Sequence, residues 1–187
     1  CESVQYLTPM SCEIKDGASY ITSQTSKSGL KLCSGVKNIL VNQHRQDFIV
    51  YNEKAICRYH LQAEAGEKIK LIKYAVFCDS IRYPNCKQHA EREIEKALSL
   101  PLEDLYKKQA DYLTAYWQNC MVEIQGNESL NNAIHFNIYQ LIQSVGKDQH
   151  GNIAPKGLSG DGYEGHYFWD SEMFIHPFFT ITNPDIS

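Results

Sequence analysis

Between Gly157 and Phe174 the chain reads GLSGDGYEGHYFWDSEMF. Gly157, Gly160, Gly162 and Gly165 are interleaved with the aromatics Tyr163, Tyr167, Phe168, Trp169 and Phe174 and the acids Asp161, Glu164, Asp170 and Glu172. Glycine lets a backbone approach a ligand closely, aromatic rings offer flat apolar faces, and carboxylates accept hydrogen bonds from hydroxyls. That mixture suits a polyhydroxylated ligand such as a sugar. Other chemistries fit less well. The glycines match neither the G-x-x-x-x-G-K-[ST] phosphate loop nor a strand-to-helix G-x-G-x-x-G turn. No two histidines stand at i, i+4, and His166 and His176 have no evident third ligand, so no metal is expected. Nothing local marks a Cys–His nucleophile pair.

The four carboxylates raise the possibility of glycosidic acid/base chemistry. Inverting enzymes hold the two groups roughly 6.5–9.5 Å apart, a separation that sequence does not fix. Asp161 and Glu164 read first as solvated loop residues. Asp170 reads equally as a helix N-cap and as a sugar-holding group, roles that its two oxygens can combine. Tyr163, Tyr167 and Phe168 divide between core and pocket wall, whereas Trp117 reads as core.

The elements that must hold this run change character near Pro84. Before it, Ala18–Thr25, Asp47–Tyr51, Ala55–Leu61 and Glu67–Phe77 have the β-former content and turn spacing of an antiparallel sandwich. After it, Asn85 caps a helix through Leu98, and Gln88 is its capping-box partner. Pro101 opens a second helix with Glu103 and Asp104 near its positive end. A short extended piece, Met121–Ile124, leads to a third helix capped by Asn127 or Ser129. Its apolar positions, Leu130, Ala133, Ile134, Ile138, Leu141, Ile142 and Val145, follow helical spacing. The loop 146–165 comes next, then a helix from Asp170 to Phe179.

Composition narrows the class. With 43% hydrophobic and 21% charged residues the chain is an ordinary globular sequence. A net charge of −4 argues against nucleic acid and anionic membrane surfaces as general partners. The apolar runs are too short to span a bilayer. Seven scattered cysteines without a C-x-x-C pair read as buried, reduced thiols, and a cytoplasmic location is expected. The first residues, CESVQYLTPM, carry neither an initiator Met nor a signal peptide, so an internal fragment of a larger protein is expected.

The run PKGLSGDGYEGHYFWDSE, Pro155 to Glu172, resembles the AKGLTGEGYxGHxFWDTE-like signature of glycoside hydrolase family 65. It differs conservatively at Ser159, Asp161 and Ser171. YWQNCMVEIQGNESLNNAIHFNIYQLIQS is similar to that family's entry into its catalytic domain, and TSQTSKSGLKL is similar to its "TKxSG" strand. The resemblance implies an α+β fragment of a multidomain protein. Residues 1–83 would be the C-terminal part of an antiparallel β-sandwich, 84–125 a helical linker, and 126–187 the first helices of an (α/α)6 barrel. It also implies an inverting phosphorylase of α-glucosides, in which phosphate and an α-glucosyl disaccharide give β-glucose 1-phosphate and a free sugar.

Trp169 and Asp170 match the family's Trp-Asp pair that holds glucose in the −1 subsite. His166, Tyr163 and Lys156 match motif positions, and proximity to the pocket is implied for them. The general-acid glutamate and the phosphate loops are expected downstream, so the chain alone is expected to be inactive. No cofactor is implied, with inorganic phosphate as co-substrate. The implied partners are the disaccharide and either further copies of the chain or the rest of the enzyme. The G-H-x-F-W-D wording is nearer to the kojibiose, trehalose and nigerose branch than to the maltose branch. A family 65 hydrolase of trehalase type and a non-catalytic carbohydrate-binding module remain alternatives.

Overall fold

Among the described residues, six strands form antiparallel ladders and four segments form α-helices, giving an α+β chain. The computed structural model describes residues 6–42, 44–158, 163 and 166–187. The strands are β1 (Leu7–Lys15), β2 (Ala18–Thr25), β3 (Lys31–Leu40), β4 (Arg45–Tyr51), β5 (Lys54–His60) and β6 (Leu71–Asp79). The helices are α1 (Cys86–Leu98), α2 (Leu102–Cys120), α3 (Glu128–Ser144) and α4 (His176–Thr182). A π-helical turn at Ser171–Ile175 leads into α4, and a 3-10 turn, Pro184–Ile186, follows it. None of the described helices is long and apolar enough to cross a membrane. The chain divides into two compact units, one through Leu102 and the other from Glu103.

In the first unit, β1-β2-β3-β6 form a four-stranded sheet and β4-β5 a hairpin that lies against β1 and β2. Helix α1 starts where Asn85 Oδ1 accepts the Gln88 N–H at 3.3 Å, as its sequence announces. Cys86, Ala90 and Ile94 recur at i, i+4, i+8 and bury one helix face against Ala18, Tyr20, Cys33 and Cys78 of the sheet. Gly35 makes that approach possible. A Cβ there would meet Val76 Cγ1 at 2.9 Å and Ile94 Cδ1 at 3.1 Å. Cys33 and Cys78 sit opposite each other in the β3–β6 register, and both are free thiols. Burial pushes the Cys33 thiol up to about 11 and raises Cys78 as well. Cys86 and Cys120 are likewise buried and free, whereas Cys12 and Cys57 are half-buried.

The helix is also tied to the sheet by charge. Glu91 accepts from Lys15 Nζ at 2.7 Å, and Lys87 Nζ reaches Glu13 at 2.5 Å and Glu91 at 3.6 Å. The hydrogen bond from Lys15 holds the Glu91 carboxyl below the usual range, against a smaller opposing effect of burial. A carboxyl depressed on folding contributes stability above its unfolded pKa, and that contribution is lost as pH falls through the folded value. Glu91→Gln is therefore expected to flatten the acid limb of the melting curve. The drop in thermal midpoint between pH 7 and pH 3 should shrink, and an equal drop in wild type and variant would refute the assignment.

In the second unit, Tyr116 and Cys120 of α2, Ile138 and Ile142 of α3, and Phe179 of α4 form the core. The Tyr116 hydroxyl donates to the Ile138 carbonyl at 3.1 Å, which satisfies a buried polar atom. Trp117 packs against this cluster, as its core reading requires. Asn127 is the cap of α3, its Oδ1 accepting the Leu130 N–H at 3.0 Å. Residues 121–124 form no strand. They are held instead through Ile124 N–H to Asn131 Oδ1 at 2.9 Å and a 2.8 Å bond between His135 Nε2 and the Val122 carbonyl.

The structure corrects several expectations. Strands β1 and β3 are additional to those read from sequence, and β6 begins at Leu71 rather than Glu67. The last helical stretch starts at Trp169 and runs to Thr182, interrupted by the π turn. Asp170 is therefore no N-cap. Its backbone is already helical (φ −62°, ψ −32°), and its side chain makes no capping hydrogen bond.

Candidate functional site

The site is built on the C-terminal end of α3. Lys147 turns back and donates through Nζ to the carbonyls of Ile142 and, at 3.0 Å, Val145, so its ammonium satisfies groups that the helix end leaves open. Burial holds that ammonium below the usual lysine range. Gly146 and Gly151 then cross so closely that a Cβ on Gly146 would fall 2.3 Å from Gly151 Cα. This crossing returns the chain to α3, where Ile153 is buried.

Gly157 closes the next turn, its N–H donating to the Ala154 carbonyl at 2.8 Å. Its φ is +54°, and a Cβ there would lie 2.5 Å from Ser144 Oγ. Both facts require glycine. Gly157→Ala is expected to cost about 1–3 kcal/mol, the range for a non-glycine residue held in this backbone region. Adding Ser144→Gly should recover only the contact part of that loss. Thermal denaturation of the two variants measures the split, and full recovery would mean that the backbone conformation is not strained.

Lys156 lies beside Gly157 and is exposed, with Nζ 5.8 Å from the centroid of the Tyr163 ring. Tyr163 meets Phe168 edge to face at 5.1 Å, and the His166 N–H donates to the Tyr163 carbonyl at 2.9 Å. Of the residues predicted from sequence, Lys156, Tyr163 and His166 are thus brought into one neighbourhood. Trp169 and Asp170 follow at the start of the helix, both exposed, Trp169 at 74%. Asp161 and Glu164 lie outside the described residues, as do Ser159, Gly160, Gly162 and Gly165. Tyr167 and Phe168 are exposed rather than core. A groove of about 540 Å³ runs along α3, lined by Phe136, Asn137, Gln140, Lys156, Leu158 and Ile175 among others. Lys156 is the predicted site residue that faces it.

Residues 2–116 match the family description "Glycosyl hydrolase family 65, N-terminal domain", and residues 135–187 match "Glycosyl hydrolase family 65 central catalytic domain". The chain belongs to glycosyl hydrolase family 65. Among curated family members, the alpha,alpha-trehalose phosphorylase of Thermoanaerobacter brockii is 37% identical over 90% of this chain and 22% of its own length. The enzyme of the same name from Geobacillus stearothermophilus is 37% identical over 89% of the chain. A kojibiose phosphorylase from Halothermothrix orenii is 29% identical over 93% of the chain and 24% of its own length. The chain therefore spans under a quarter of the length of these relatives. The solved structure of a "Putative kojibiose phosphorylase from human microbiome" superposes with a TM-score of 0.81 at 23% identity, covering 97% of this chain and 24% of that one. That likeness establishes a shared fold.

Within this family 65 chain, sequence reasoning overlooked the residues that brace the site. Ser144, which faces Gly157, carries no sequence signal. Ser171 is buried at 7% exposure, with its hydroxyl 3.5 Å from the Ile153 carbonyl, and it joins the Trp169–Asp170 segment to the loop. The Gly146/Gly151 pair and Pro177 are visible as breakers, and they were the available clue.

Proposed function

We propose that this chain is part of a longer inverting α-glucoside phosphorylase and supplies one wall of its glucose subsite. The observation that carries this reading is the exposed, uncapped carboxylate of Asp170 beside Trp169, in a family 65 chain whose curated relatives include trehalose and kojibiose phosphorylases. Asp170 accepts hydrogen bonds from glucose hydroxyls, a role that suits an acceptor-only group. Trp169 presents its ring as a wall, while Lys156, Tyr163 and His166 stand at the pocket margin.

In the reaction a phosphate oxygen attacks the anomeric carbon as the glycosidic C–O bond breaks. A general-acid glutamate supplied by the rest of the enzyme protonates the departing oxygen. One displacement inverts the centre, so an α-glucoside gives β-glucose 1-phosphate. This chain's residues hold the sugar and do not transfer the proton, so the 187-residue piece alone has no phosphorolytic activity. The architecture is read as the end of a β-sandwich over 1–83, a helical linker over 84–125 and the opening of an (α/α)6 barrel over 126–187. The enzyme is placed in the cytoplasm. The exposure of Phe174 and Ile181 on the last helical stretch (75% and 83%) supports association with the rest of the enzyme or with further copies of the chain.

Trehalose leads as substrate because the trehalose phosphorylases are the more similar of the named relatives, at 37% against 29% identity. Incubating the full-length enzyme with trehalose, kojibiose, nigerose and maltose, with and without phosphate, tests this. Phosphate-dependent β-glucose 1-phosphate from one of them is expected. Glucose released equally without phosphate would make the enzyme a hydrolase.

A further inference from the structure

The helix that follows Trp169 and Asp170 is wound unevenly. The His176 N–H donates to the Ser171 carbonyl five residues back, closing the π-helical turn Ser171–Ile175. The next residue, Pro177, lies in the first turn of α4. It has no N–H to offer the Met173 carbonyl four residues back, and its ring collides with a carbonyl held in α geometry. The wider turn removes that conflict by taking up one extra residue.

The extra residue has a rotational consequence. At about 100° per residue, an unbroken α-helix would set Trp169 about 80° from Phe179 around the axis, and Ser171 also about 80° away. Absorbing one residue turns the preceding segment by about 100°, which leaves Ser171 about 20° from Phe179 and Trp169 on the opposite side. Burial agrees with the second arrangement. Phe179 is 2% exposed, Ser171 7% and Trp169 74%.

We propose that Pro177 is a positioning residue for the glucose subsite: by enforcing the π turn it sets the direction in which Trp169 and Asp170 face. This rests on the reading of those two residues given under Proposed function. Pro177 is exposed. It acts through the helix.

The test uses Pro177→Ala. In the full-length enzyme the α ladder closes, and kcat/KM for phosphorolysis falls about a hundredfold, the scale of an ångström-sized misplacement of substrate-holding groups, while the thermal midpoint stays level or rises. Deleting Met173 in the Pro177→Ala background removes the surplus residue, keeps an even α-helix and restores the original direction, so activity returns. Retained activity in Pro177→Ala, or loss that the deletion does not rescue, overturns the proposal.

A second readout is independent of activity. In the 187-residue chain, which has two tryptophans, Trp117→Phe leaves Trp169 as sole reporter, and iodide should quench it well in that background and poorly once Pro177→Ala is added. Unchanged quenching overturns the proposal. A wild-type enzyme that phosphorolyses none of the α-glucosides would instead remove the functional reading, and quenching then decides the positioning claim alone.

Discussion

Replacing Asp170 with alanine in the full-length enzyme is expected to lower kcat/KM for the proposed phosphorolysis about a thousandfold, since the two hydrogen bonds that the proposal gives its carboxylate would contribute about 1.5–3 kcal/mol each and each 1.36 kcal/mol is worth about a factor of ten. Stability should not follow. Asp170 already has helical backbone angles and caps nothing through its side chain. The small favourable interaction of a carboxylate with a helix N-terminus is offset by the better helix propensity of alanine, each a fraction of a kcal/mol. Activity measured beside a thermal melt separates the cases. A loss below about tenfold, or one that tracks a falling midpoint, would place the carboxylate in the scaffold rather than on the sugar.

The largest expected effect on stability falls on Phe179. It is among the few large side chains that are almost wholly inaccessible, at 2% exposure, and it fills the core of the second unit with Tyr116, Cys120, Ile138 and Ile142. Phe179→Ala should cost about 3–5 kcal/mol, combining lost transfer energy with the cavity left behind. Domains of this size have total stabilities of about 5–15 kcal/mol, so the loss is most of the reserve at the low end. Hydrogen exchange on the 187-residue chain checks it. Amides of α3 (Glu128–Ser144) should lose protection, with the β2–β3 ladder as internal reference. Unchanged protection in α3 would mean that Phe179 does not hold α3 in place.

Several elements were legible because their local chemistry agrees with their final environment. Asn85 and Asn127 stand as caps before apolar-periodic runs, and both cap as expected. β2, β4 and β5 carry β-branched and aromatic residues between clear turns, which is the strand signal. β1 and β3 were hidden by residues that normally argue against a strand. Pro9 sits in β1, an edge strand whose register shifts between Pro9 and Ser11, and there a missing donor costs little. Gly35 interrupts β3 because α1 packs where its side chain would be, a condition set by residues about 40 and 60 positions further along the chain, Val76 and Ile94.

The candidate site was legible as a motif but not as geometry. Trp169 and Asp170 stood out by type and order. The helical pattern continuing from Ser171 through Phe179 looks the same with or without a π turn, and so the expectation that Asp170 caps the helix was natural and mistaken. Only the ladder of hydrogen bonds shows the change of pitch. The bracing of Gly157 by Ser144 was equally invisible, because it depends on a loop crossing at Gly146 and Gly151 rather than on neighbours in sequence.

The first unit has three thiols, Cys33, Cys78 and Cys86, in the core between sheet and helix. Deep burial and the raised titration range of Cys33 and Cys78 leave almost no thiolate for an electrophile to meet in the folded chain. Alkylation at these positions must therefore wait for α1 to lift from the sheet. The reaction rate becomes a clock for that opening: where reclosing is faster than labelling it reports the opening equilibrium, and at high reagent concentration it reports the opening rate itself.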